Sequence, residues 1–128
     1  WNRVPELMDR MKEENPHYAA FFKFLHRRRG KNAEDDGLFF NTPACILIAA
    51  DNPLDGGLAA ANMENMAAAE GAGVLYSGYL TRIIEADPVL KEWLGIPDTP
   101  LVCCMLAGYP AVSYRRTAPR KKADIVWR

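Results

Sequence analysis

The 128-residue chain predicts a layered α/β fold. Two short apolar runs, residues 44–50 and 101–108, are uninterrupted, as strands covered on both faces are. Helical spacing fills the chain before and between them. With 49% hydrophobic and 25% charged residues, the composition is that of one ordinary globular core. No internal repeat or low-complexity tract interrupts this pattern.

Residues 5–29 read as helical, because Leu7, Met8 and Met11, then Tyr18, Phe21, Phe22 and Leu25, recur at three- and four-residue spacing. Pro16 divides them into two helices. The run His26-Arg27-Arg28-Arg29-Gly30 predicts a stop, with cations at the helix C-terminus and Gly30 as a left-handed cap. Residues 31–37 are polar and suit an exposed, mobile loop. The apolar run 44–50, between Pro43 and Asp51-Asn52-Pro53, predicts a strand central in its sheet. Residues 57–70 predict a helix buried nearly all round, since its only charges are Glu64 and Glu70 and its alanines allow close backbone approach. Residues 74–78 are too few for more than an extended turn. Helical spacing resumes over 79–86, and a further short helix runs from Pro88, placed for a first helical position, to a stop at Gly95. After the second strand, 101–108, a basic arm leads to Ile125-Val126-Trp127, which predicts an edge strand or a contact with a partner chain.

A formal net charge of zero and a pI near 6.9 give no overall drive toward nucleic acid or an anionic membrane. Cys45, Cys103 and Cys104 form no C-x-x-C pair and lie in apolar runs that predict burial, which fits reduced thiols in the cytoplasm. No targeting segment is visible. The chain opens on Trp1 without an initiator methionine, which suggests that the natural protein begins earlier. The longest weakly charged stretch, 56–73, contains Asn62, Glu64, Asn65 and Glu70 and falls short of the roughly 20 apolar residues that span a bilayer.

Gly71, Gly73 and Gly78 do not make a dinucleotide-binding loop, which must follow a strand and open a helix. They read either as a helix cap with a tight turn, or as a place where Ser77 and Gly78 present backbone N–H groups to a flat ligand. Arg115, Arg116, Arg120, Lys121 and Lys122 read either as a solvated tail or as a phosphate clamp, with Pro119 limiting the backbone beside Arg120. Arg27, Arg28 and Arg29 read as helix-end solvation. No aromatic platform accompanies these clusters, so nucleic-acid binding gains no support. His17 and His26 lack cysteine or carboxylate partners at metal-ligand spacing. Ser77 and Ser113 lack a nucleophile-elbow context. With no acid, base or nucleophile constellation, and thus no catalytic residue to name, chemistry must come from a bound cofactor.

From residue 43 onward the order of features resembles the nitroreductase family. The resemblance rests on Pro43-Ala44-Cys45-Ile46-Leu47-Ile48, an alanine-rich helix through Asn62-Met63, and Glu70-Gly71-Ala72-Gly73-Val74. Trp93-Leu94-Gly95-Ile96-Pro97, Gly108-Tyr109-Pro110 and the stretch from Arg116 to Arg120 complete it. It implies an α+β, three-layer α-β-α sandwich, an intertwined homodimer and FMN at the dimer interface. Hydride would pass from a reduced nicotinamide or another donor through the flavin to nitroaromatic, quinone or similar flat acceptors. Carried over by position, Leu75 and Tyr76 would lie against the isoalloxazine, Ser77 and Gly78 would donate backbone hydrogen bonds to it, and Arg120 and Arg116 would hold the phosphate. The family's usual N-terminal Arg-Arg-Ser segment does not occur, which implies a domain incomplete at its N-terminus with FMN binding weakened or lost. The expected organisation is one domain over 1–128: a helical lead-in and loop (1–42), a core (43–110) and a C-terminal arm (111–128). The alternative is a noncatalytic remnant that keeps the fold for dimerisation or for binding a phosphorylated ligand.

Overall fold

Helices α1 (Val4–Glu14) and α2 (Pro16–Lys31) open the chain in a computed structural model that describes residues 1–34, 36–113, 115 and 121–127. Asn15 divides them as the periodicity requires. Its side chain accepts from the N–H of Tyr18, and Pro16 takes the first helical position, where no N–H is needed. The expected stop at Gly30 is displaced, because α2 continues to Lys31 and leaves through Asn32 at φ −144°. A chain that exits in extended conformation needs no left-handed cap, and Gly30 stays inside the helix.

Strands β1 (Ala44–Ala49), β2 (Gly73–Tyr76) and β3 (Leu101–Gly108) form an antiparallel sheet in the order β1-β3-β2. Two expectations change here. The run 44–49 is an edge strand of this sheet, and β3 is central; an unbroken apolar run reports cover on both faces, not hydrogen-bonded neighbours on both sides. Residues 73–76 form a strand, because β3 supplies a ready partner: Gly73 lies opposite Gly108 and Tyr76 opposite Met105.

Helix α3 (Pro53–Ala69) covers one face of the sheet, packing Ala60 on Ile48 and Met105. Helices α1, α2 and α4 (Gly78–Glu85) cover the other, with Val4, Leu7, Phe22, Leu80 and Ile84 against Cys104 and Leu106. The architecture is therefore the expected α+β, three-layer α-β-α sandwich. Helix α3 comes close to the sheet at Gly56, where an added Cβ would stand 2.5 Å from Val102 Cγ2. The opposite side of α3 is not buried as expected: Leu54, Leu58 and Met66 are 67%, 57% and 63% exposed. Its apolar composition marks a face that the described residues leave uncovered.

Beside Gly56, the β1–β3 register slips. Ile48 faces Cys103 but Ala49 faces Leu101, so Val102 is an extra residue, and Val102 and Cys103 both pack toward α3.

Helices α3 and α5 (Pro88–Trp93) end alike, on glycines at φ +75° and +76°. After α3 the N–H groups of Gly71 and Ala72 close onto Ala68 and Ala67, and after α5 those of Gly95 and Ile96 close onto Glu92 and Lys91. Between α4 and α5, Asp87 is fully buried and receives Arg3 Nε at 2.7 Å and Nη2 at 3.0 Å, with Arg10 at 3.5 Å. This fork ties α1 to the α4–α5 corner.

Candidate active site

Strand β2 stops at Tyr76, opposite Met105, and among the described residues no strand lies on that side of the β3 edge from Leu101 to Cys104. Helix α4 crosses the gap, and its side chains replace the missing strand. Thr81 Oγ1 accepts from the Cys104 N–H at 3.2 Å, and Glu85 Oε1 accepts from the Leu101 N–H at 2.7 Å. Both residues lie on one face of α4, four apart. The result is a notch of about 420 Å³ between the β2–α4 turn and β3, bordered by Tyr76, Ser77, Gly78, Arg82, Glu85 and Cys103. That volume falls in the range of small-molecule sites.

The four residues expected to meet a flat ligand therefore sit together at the β2–α4 turn, but not all in the expected role. Tyr76 and Leu75 point to opposite faces, as alternation along a strand demands. Tyr76 goes to the α3 side, where its hydroxyl bonds Glu64 Oε2 at 3.0 Å. Leu75 is 49% exposed. Ser77 is the N-cap of α4: its Oγ accepts from the Leu80 N–H and its carbonyl accepts from Thr81. Its own N–H donates to the Cys104 carbonyl at 2.8 Å, so that donor is used inside the fold.

Gly78 differs. Its N–H belongs to the first turn of α4, which has no intrahelical acceptor, and it meets none elsewhere among the described residues. A Cβ there would meet nothing within 4 Å, so the fold itself does not require glycine. Close approach of a ligand to the main chain would. Arg116 and Arg120, the expected phosphate holders, lie outside the described residues.

The thiols are poor nucleophiles here. Burial pushes Cys104 up to about 11 and raises Cys103 and Cys45 as well, which keeps all three protonated near neutral pH. Cys45 is nonetheless exposed, against expectation, because it stands near the start of an edge strand. The Tyr76 phenol is raised by desolvation and then by the Glu64 carboxylate beside it.

The turn is steadied from α2. Tyr79, next to Gly78, stacks on Phe21 with ring centroids 4.2 Å apart and meets Tyr18 and Phe22 edge-on. Sequence reasoning missed Thr81, Arg82, Glu85 and Cys103 as notch residues. The i, i+4 pair Thr81 and Glu85 was visible, but not the open strand edge that gives the pair its partners.

A model of the nitroreductase family matches residues 4–109. The chain belongs to the nitroreductase family. No match is found among curated proteins. The nitroreductase match takes in α1 and α2, which the resemblance had left as a lead-in, and it does not bear out the expectation of a missing N-terminal segment. Nitroreductase membership assigns the chain to the flavoprotein oxidoreductases. Among the described residues no helix is long and apolar enough to cross a membrane, and no group of three or more His, Cys, Asp or Glu is placed to hold a metal ion.

Proposed function

We propose that the chain is an FMN-dependent oxidoreductase, a single domain over 1–128 that works as a cytoplasmic homodimer. A reduced nicotinamide or similar donor would supply electrons, and nitroaromatics, quinones or other flat acceptors would take them. The supporting observation is Gly78: an N–H without a partner among the described residues and open space above the Cα, at the mouth of a notch of ligand size, in a chain of this family. The residues present fit a flat ring there. FMN, when bound, supplies hydride transfer.

The chain's own contributions follow from their placement. The Gly78 N–H, aided by the positive end of α4, would donate to an acceptor atom on the ring edge, favouring the electron-rich form of the ring. Leu75 offers an apolar contact on the sheet face opposite Tyr76. The Ser77–Thr81–Cys104 bonds hold the turn rigid while this happens. Arg116 and Arg120 are proposed to hold the phosphate. The exposed side of α3 and the exposed Ile125-Val126-Trp127 support assembly with a second copy.

Purified protein loaded with FMN should be yellow and should oxidise NADH or NADPH when a nitroaromatic or quinone is added. Gly78→Val should leave the melting temperature within about 2 °C, since the Cβ that it adds meets nothing within 4 Å. The same change should abolish flavin retention. Colourless wild-type protein that takes up no added FMN would turn the assignment to the noncatalytic alternative.

A further inference from the structure

We propose that the notch selects acceptors carrying an anionic substituent, a carboxylate foremost, and that Arg82 is the residue that selects them. This rests on the reading of the notch as the place where flavin and acceptor meet.

The charges around the notch are unevenly satisfied. Glu85 has one oxygen engaged twice, accepting from the Leu101 N–H at 2.7 Å and pairing with Lys91 Nζ at 3.4 Å. Thr81 is used between Ser77 and Cys104. Arg82 is exposed on α4 beside them, and its side chain has no ion pair or hydrogen bond among the described residues, although Glu85 is only three residues away. The arginines of α1 and its lead-in behave otherwise, since Arg3 and Arg10 both converge on Asp87. Thus, among the described residues, the notch holds one uncompensated charge, and it is positive.

Spacing adds to this. Arg82 stands four residues after Gly78, about 6 Å along the helix axis. One aromatic ring with substituents at opposite ends spans that interval. A ring seated on the apolar Leu101 and Val102 side would thus place one group by the turn and a carboxylate by the guanidinium fork, which matches carboxylate geometry in a bidentate way.

The test compares 4-nitrobenzoate with its neutral isostere 4-nitrobenzamide, by calorimetric or NMR titration of the protein both as purified and after FMN loading. Wild type should favour the carboxylate about three- to tenfold, the range for an exposed charge-assisted contact, and the preference should shrink as salt is raised. Arg82→Gln should abolish the preference and Arg82→Lys should keep part of it, with both variants melting as wild type does. The kcat/KM ratio for the two compounds should follow the same order in loaded enzyme. Equal affinities in wild type, or a preference that survives Arg82→Gln, would overturn the proposal. Protein that takes up no flavin yet keeps an Arg82-dependent preference would refute the flavin reading and leave the anion site standing.

Discussion

Asp87 has no exposed surface and still carries a charge, because the Arg3 fork reaches it from α1. That hydrogen bond, opposed by burial and helped by the charges of Arg3 and Arg10, holds its carboxyl below the ordinary range. A depressed acid contributes stability that is complete above its unfolded value and is lost as pH falls through its folded one. Asp87→Ala should therefore cost about 2 kcal/mol at neutral pH, the scale of hydrogen bonds to a charged group. The gap between variant and wild-type urea midpoints should close as pH drops below about 4. A gap that stays constant down to acid pH would show that Asp87 acts through packing alone. Nothing in the sequence marked Asp87 beyond its place before Pro88, since its partner lies 84 positions away.

At the scale of elements, the helix at 53–69 shows what sequence can and cannot convey. Its existence was legible in its alanines, but its start was set four residues too late, because the cap at Asn52 and the first-turn Pro53 were left with the preceding loop. Close approach to the sheet involves Gly56 as well as Ala60 of the first alanine triplet, and at Gly56 it depends on Val102, a residue 46 positions away that only the fold brings near. Gly56→Ala should destabilise by about 1–3 kcal/mol, the usual cost of forcing atoms into a packed contact. Gly57→Ala, with nothing within 4 Å of its added methyl, should be neutral or slightly stabilising. Thermal melts of the two variants side by side check this, and equal behaviour would remove Gly56 as the point of contact. The second strand, 101–108, was legible to the residue because its apolar run is bounded by Pro100 and Tyr109-Pro110. The four-residue β2 was not, since a strand that short exists only by virtue of its partner. For the same reason the residues of the turn were found from sequence, while the notch behind them, made by an absent strand and the helix that replaces it, was not.

Across the whole molecule, the uncovered side of α3 is the largest departure from the sequence reading. Leu54, Leu58 and Met66 lie at one- and two-turn helical spacing, and such an exposed apolar stripe marks a surface that associates. Wild type should sediment as a dimer at micromolar concentration, whereas Leu58→Glu with Met66→Glu should sediment as a monomer that keeps its helical circular dichroism. Dimers that persist in the double variant would place the contact elsewhere. The register slip beside Gly56 reaches as far in the other direction, into the interior. One supernumerary residue in β3 decides which of the two hydrophobic layers Leu101 joins: in unbroken alternation it would share a face with Cys103 and Met105, and the slip returns it to the layer of Cys104 and Leu106. The same slip turns the Leu101 amide outward to the Glu85 carboxylate that grips it. Cutting Val102 out would leave both arrangements standing, because plain alternation over the shorter strand puts Leu101 where it already is.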